Sequence, residues 1–216
     1  MKISASQLLT LTLLGTPLAA QTADSTRTVP GGGELPAGWS ARPDDKGNSK
    51  DIKFVVMEPG YHLTLGPATI LYRKEDRAQR PFHTLVTIHQ MKRWEHPEGY
   101  GLFFGGRELE GPNQSYTYFL VRDDGTFNIK TRKGDKVAQV SEGWKPNSAI
   151  KKADANGATS NLLEIDAKSD PKRVSFKVNG KEVYSQPARS ENLKGIVGLR
   201  VNHNLDVHLE GFAVHQ

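Results

Sequence analysis

The chain has 216 residues, 36% of them hydrophobic, no cysteine, and a formal net charge of +5 at pH 7. Without cysteine there can be no disulfide, no thiol nucleophile and no thiolate metal ligand. The charge is mild and Lys and Arg are interspersed with Asp and Glu, so the basic stripe of a dedicated nucleic-acid binder is missing and no nucleic-acid partner is expected.

Met1-Lys2, the apolar run Ile3–Leu18 and the small residues Ala19-Ala20 read as a secretory signal peptide over residues 1–20. The run is too short and too rich in Ser and Thr for a transmembrane helix, which needs about 20 apolar residues. No later stretch is apolar enough to serve as a membrane anchor, so the mature chain is expected to be exported, to the periplasm or beyond. Residues 21–37, with Val29-Pro-Gly-Gly-Gly33, read as a flexible linker. Trp39 marks the start of one domain over residues 38–216, a core plug before a ligand platform. Roughly 195 residues are enough to bury about 70% of the unfolded chain's surface.

Strand-like segments then follow with turn signals between them. Ile52–Met57 ends in Glu58-Pro-Gly60, Tyr61–Leu65 in Gly66-Pro67, and Ala68–Arg73 runs into a charged loop, Lys74–Arg80. Phe82–Met91, Tyr100–Phe104, Ser115–Arg122, Thr126–Arg132, Val137–Val140 and Asn161–Ala167 come next. Asp123-Asp-Gly125 reads as a hairpin turn. In Arg173–Tyr184, Val174, Phe176 and Val178 alternate with polar residues up to Asn179-Gly180, the strongest hairpin signal in the chain. Gly195–Arg200 and Asp206–Val214 close the series. No segment holds a 3.6-residue period, so the expected class is all-β, a two-sheet antiparallel sandwich or jelly roll with little helix after the leader. The longest loops are expected at 74–81, 105–114 and 141–160.

The order Gly99-Tyr-Gly-Leu-Phe-Phe-Gly105, Tyr116-Thr-Tyr-Phe-Leu120, Asp123-Asp-Gly-Thr-Phe127, Trp144, Val174-Ser-Phe-Lys-Val-Asn-Gly180, Gly195-Ile-Val-Gly-Leu199 and His203 resembles the concanavalin A-like, laminin-G-like jelly-roll superfamily. Within it, residues 38–216 look most like exported bacterial 3-keto-disaccharide hydrolase domains. The resemblance implies a fold and, as an alternative function, hydrolysis of keto-sugars or glycosides. The chain departs from those domains where Tyr116-Thr-Tyr-Phe119 stands in place of a Tyr-Glu-hydrophobic-Gln segment. The motifs are architectural, and a fold does not specify a reaction.

The residues themselves offer chemistry of several kinds. Glycoside hydrolysis needs two carboxyls across a cleft. Glu164 and Asp166 share one strand face, where a solvated edge is the ordinary reading. Among seven histidines, His83 and His89 lie on one face of one strand, and His203 leads the segment His203-Asn-Leu-Asp206. His89 and His203 are the candidate catalytic pair, since imidazole serves as general base or ligand. No tight metal-ligand motif is present and no dense oxygen loop suits Ca²⁺, so neither metal nor cofactor is expected. Sugar rings present apolar C–H patches between hydroxyls, which flat aromatics and planar polar groups match. The candidate ligand contacts on that ground are Trp94 and Arg93 in the Arg93–Pro97 loop, with His83, Tyr100, Tyr118 and Arg132. The leading expectation is thus an exported domain that binds carbohydrate or a glycoconjugate. A keto-sugar hydrolase and a cell-envelope interaction module are the alternatives. Convergence of His83, His89, Trp94, Arg132 and His203 on one concave surface would support the set.

Overall fold

The computed structural model describes residues 28–29, 32–44, 48–79, 81–93, 95–189 and 193–216. The leader, most of the linker, and Trp94 lie outside the described residues. Fifteen strands follow in chain order: β1 Trp39–Pro43, β2 Ile52–Met57, β3 Gly60–Leu65, β4 Thr69–Ala78, β5 His83–Gln90, β6 Tyr100–Arg107, β7 Ser115–Val121 and β8 Thr126–Lys133. The remainder are β9 Lys136–Gln139, β10 Lys145–Pro146, β11 Thr159–Asp166, β12 Arg173–Val178, β13 Lys181–Pro187, β14 Gly195–Val201 and β15 Leu205–His215. The helical content among them is a single 3-10 turn at Ser49–Asp51, capped by the Asn48 side chain.

The strands form two antiparallel sheets. An 8-stranded sheet A runs β1-β4-β14-β6-β7-β8-β10, with β9 also paired to β8. A 7-stranded sheet B runs β13-β12-β11-β5-β15-β3-β2. Each central pair joins strands far apart in sequence, such as β14 with β4 and β6, and β15 with β3 and β5. Such non-local pairing is what a jelly roll requires, and it leaves only outer strands to be edges.

Alternation sorts the side chains. Leu102, Phe104, Phe119, Val197 and Leu199 point from sheet A into the core; Val86, Ile88, Leu163, Ile165, Phe176, Val207 and Leu209 answer from sheet B. Burying each of these side chains stabilises the fold by about 1.5–3 kcal/mol. Trp39 is 7% exposed and seals one end against Phe54, Tyr61 and Phe212, with ring centroids 5.1, 5.3 and 5.7 Å away. Asn179 and Gly180 form the predicted hairpin turn with φ of 51° and 77°. The Asn179 side chain also donates to Ala149 O and Asn161 Oδ1 and accepts from Leu162 N, so the turn ties the 149–151 segment to β11.

Two expectations are corrected. The charged stretch expected as a loop from Lys74 is strand as far as Ala78, because Arg77 and Ala78 pair with Ile196 and Gly195 of β14. Its charges face solvent, where an outer strand end tolerates them. The strand Trp39–Pro43 also lay hidden in a segment read only as the domain's first residues. It is short and polar, and its pairing partner β4 is about thirty residues on.

Sheet A is buried on both faces over much of its width. All seven residues of β14 are buried. The outer face carries a second apolar layer of Ile70, Tyr72, Phe103, Tyr116, Tyr118 and Leu120, together with Leu109 and Ile196, and Trp144 packs against it. Gly198 makes room for this layer: a Cβ there would stand 2.6 Å from the Phe103 ring.

Candidate functional site

The outer face of sheet A concentrates planar aromatic and planar cationic groups. Tyr116 and Tyr118 project from β7 on the same side, with ring centroids 5.6 Å apart, and Phe103 stands 5.2 Å from Tyr116. Arg200 comes from β14 and Arg132 from β8, two strands that β6 and β7 separate. Both arginines reach one carboxylate. Arg200 donates from Nη1 and Nη2 to the two oxygens of Asp44 at 2.8 and 2.7 Å, and Arg132 Nη1 donates to Asp44 Oδ1 at 2.9 Å. Asp44 follows β1, so the segment leaving that edge strand places its carboxylate over the sheet. The Arg200 guanidinium also lies 5.6 Å from the Tyr118 ring centroid. Arg122 extends the pattern, with its guanidinium 3.7 Å from the Trp144 ring centroid.

The electrostatics follow from burial and these pairings. Burial alone would raise the Asp44 carboxyl, but the hydrogen bond from Arg200 and the charges of Arg200, Arg132 and Arg42 hold it below its ordinary value. Burial works against the charge of Arg200 as well, and the Asp44 carboxylate more than offsets it, so Arg200 stays firmly protonated. Burial pushes the Tyr118 phenol up to about 12 against the pull of Arg200. Lys130, paired across β7–β8 with Tyr118, sits below its ordinary value because it is partly desolvated and faces Arg122 and Arg200.

Two concavities border this face. One of about 450 Å³ lies between Ser40, Arg42, Tyr72 and Glu110. A second, about 540 Å³, is lined by Tyr72, Lys74, Leu109 and Ile196. A further concavity of about 350 Å³, lined by Phe104, Ser115, Thr117, Thr131 and Lys133, opens on the other side of sheet A, at the edge of the sandwich. An exposed Lys74–Glu110 ion pair at 2.9 Å spans the rim shared by the first two.

The sequence-derived candidates do not gather on one surface. Tyr118 and Arg132 lie on this face. Tyr100 does not: it is wholly buried in the core, where its hydroxyl accepts from Asn161 Nδ2 at 3.4 Å. The aromatic that shares the face with Tyr118 is Tyr116. Arg93 turns away to bond the buried Asp123 carboxylate at 2.6 Å. Asp123 also takes Gln90 Nε2 at 2.9 Å, so it does more than start a turn. His83 and His89 project from β5 on the outer face of sheet B, the opposite side of the sandwich. His203 lies between β14 and β15 with Nδ1 3.2 Å from Glu98, whereas His89 Nε2 is 3.3 Å from Glu210. The two members of the candidate catalytic pair thus take different carboxylates. Glu164 and Asp166 do share a face, but Glu164 is 3.0 Å from His83 and Asp166 is bonded by Lys177 at 2.9 Å.

Sheet B has a pattern that sequence reading reached only in part. Five of the seven histidines lie on its outer face: His62, His83, His89, His208 and His215. His208 stands opposite both His62 and His89 in register, with ring centroids 6.4 and 5.9 Å apart. Asp206 and Glu210 balance the row, Asp206 at 3.1 Å from His62. Among the described residues no group of three His, Asp or Glu side chains is arranged to hold a metal ion. Nor is any helix among them long and apolar enough to cross a membrane.

Arg200, Asp44 and Arg122 are members of the sheet A face that the sequence did not single out. Arg200 carried a signal, being the one charged residue in the otherwise apolar run Gly195–Val201. Asp44 carried none in its polar surroundings.

No protein-family model and no curated protein matches the chain, so the hydrolase resemblance finds no counterpart there. Solved structures do match. The carbohydrate-binding module CBM66 from Bacillus subtilis superposes with a TM-score of 0.58 at 12% identity, over 83% of this chain and 96% of that one. A Bacillus subtilis protein of unknown function with a galectin-like fold gives 0.57 at 13% identity, over 82% and 89%. The carbohydrate recognition domain of Emp46p, potassium-bound, gives 0.54 at 10% identity, over 82% and 88%. At such identities the likeness establishes the fold alone, a jelly-roll β-sandwich of galectin-like form.

Proposed function

We propose that this protein is a carbohydrate-binding module whose contact surface is the outer face of sheet A. The observation that carries the reading is the Asp44–Arg200–Arg132 cluster set beside Tyr116 and Tyr118 on a sheet face that already has a full core behind it. A buried arginine is costly unless it is paired, and here the pairing fixes a bed of aromatic and guanidinium planes beneath the part-exposed Asp44, Arg122, Lys130 and Trp144. Such an array suits a sugar ring, whose C–H patches stack while its hydroxyls take fixed donors. Two of the matching structures carry carbohydrate binding or recognition in their names, which supports the same ligand class. The leader sequence supports a site of action outside the cytoplasm, which N-terminal sequencing of the secreted chain checks.

A glycan array tests the reading. Binding is expected to at least one glycan class, and Tyr118→Ala and Arg200→Met are each expected to weaken it at least tenfold while the fold is retained by circular dichroism. Failure of every arrayed glycan to bind would remove the proposal. Retention of affinity in both variants would move the site to another surface.

A further inference from the structure

Arg42, Arg122, Lys130, Arg132 and Arg200 influence one another or a common neighbour on the outer face of sheet A. The carboxylate that they share among the described residues is that of Asp44. Among the described residues Asp44 accepts from both Nη atoms of Arg200 and from Nη1 of Arg132. Nε of Arg200, Nε of Arg122 and Nη1 of Arg42 are buried with no hydrogen-bond partner among the described residues. Arg200 itself is only 5% exposed. A buried, unpaired guanidinium N–H costs free energy until something accepts from it. Lys130, part-buried near Arg122 and Arg200, adds a further positive charge with no carboxylate bonded to it among the described residues. The Lys74–Glu110 pair at the rim neutralises itself and does not relieve this excess.

We infer that the ligand of this face is an acidic glycan, one bearing sugar carboxylates of the uronic-acid type, whose acid group is read by the part-exposed Lys130 and Arg122, with the buried charge of Arg200 behind them. The inference rests on the proposed glycan-binding role of the face. Asp44 indicates which anion suits the site. A planar carboxylate already docks two-pronged on Arg200, the geometry for which guanidinium is best matched. Trp144, part-exposed beside Arg122, supplies the aromatic surface against which the sugar carrying the acid would pack, and Tyr118 lies buried beneath the cations.

The test is calorimetric titration of the full chain with trigalacturonate, with the same trisaccharide as its methyl ester, and with dextran sulfate. Trigalacturonate is expected to bind at least tenfold more tightly than the ester. That preference should shrink several-fold between low and high salt, as for any charge-reading site. Lys130→Gln and Arg122→Gln are each expected to reduce the acid-over-ester preference at least threefold. Equal binding of acid and ester would overturn the acidic ligand and leave the glycan-binding role standing. No binding of either, together with a blank glycan array, would remove both. Dextran sulfate binding as tightly as trigalacturonate would overturn the choice of carboxylate, and a preference unchanged in both variants would overturn the assignment of the residues.

Discussion

Replacing Asp44 by Asn removes a charge from between two buried arginines while keeping the side chain's size. Breaking a buried ion pair by removing one partner costs about 3–5 kcal/mol. Asp44 is 36% exposed whereas Arg200 and Arg132 are 6% and 8%, so water reaches the carboxylate side of the cluster and the cost falls to about 2 kcal/mol. In a domain of this size that lowers Tm by roughly 4–8 °C. Arg200→Met should cost less, about 1 kcal/mol, because Asp44 keeps Arg132 and its solvent contact and the Met chain retains the packing over Tyr118. The double variant should cost little more than Asp44→Asn alone, as expected when two residues act on one interaction. Urea denaturation of the three variants at neutral pH, followed by circular dichroism, measures all three values. Asp44→Asn within about 0.5 kcal/mol of the parent protein would refute the reasoning, since an ordinary surface substitution has that effect. A larger loss from Arg200→Met than from Asp44→Asn would refute it equally.

Three further outcomes are expected. Trp39→Ala should cost about 3–5 kcal/mol in denaturant unfolding, because Phe54, Tyr61 and Phe212 all close on that ring; a loss under 1 kcal/mol would show that Trp39 is not the plug of that end. Asn179→Ala should be less stable than Asn179→Gly by about 1 kcal/mol, since both lose three hydrogen bonds but only Ala strains a φ of 51°; the reverse order in thermal unfolding would contradict the turn geometry. An alkaline ultraviolet titration should show Tyr118 ionising at about 12, and Tyr118→Phe should delete that step. The sign follows from linkage. The folded value is raised above the ordinary 10.0, so the fold keeps its full stability below that pH and loses it as the pH climbs through about 10 toward 12. A Tyr118 that titrated at its ordinary value would place the ring in water and off the packed face.

How much of this could be read from the chain depended on how local each signal was. The Asn179-Gly180 hairpin needs only its own dozen residues, and alternation across β12 assigns Val174, Phe176 and Val178 to the core without reference to any other strand. Trp39 was legible as a core plug because a lone Trp at the start of a strand series has few other uses. The sheet A face was harder. Tyr116, Tyr118 and Leu120 alternate with Phe119 and Val121, but both sets are apolar, so periodicity cannot tell the core from a second buried layer. Tyr100 was misassigned for the same reason. The pairing of Asp44 with Arg200 spans 156 residues, and nothing in either neighbourhood announces it. The histidines gave half their pattern: His83 and His89 share a strand, whereas His62 and His208 join them only through the register of β3 and β15.

Strand β14 has a consequence for how this surface can change. Val197, Leu199 and Val201 fill the core from one side of it, while Ile196 and Arg200 build the outer layer from the other. A saturation library scored for folding should therefore show an unbroken intolerant strip from Gly195 to Val201, whereas β9, exposed along its whole length, should accept nearly anything. On the proposed glycan-binding role, variation that alters ligand preference has room at Lys130 and along the rim loops, where a change of side chain does not disturb the sandwich. On that reading the specificity of the face would drift from its periphery inward, while its centre is held in place by the folding requirement of the same strand.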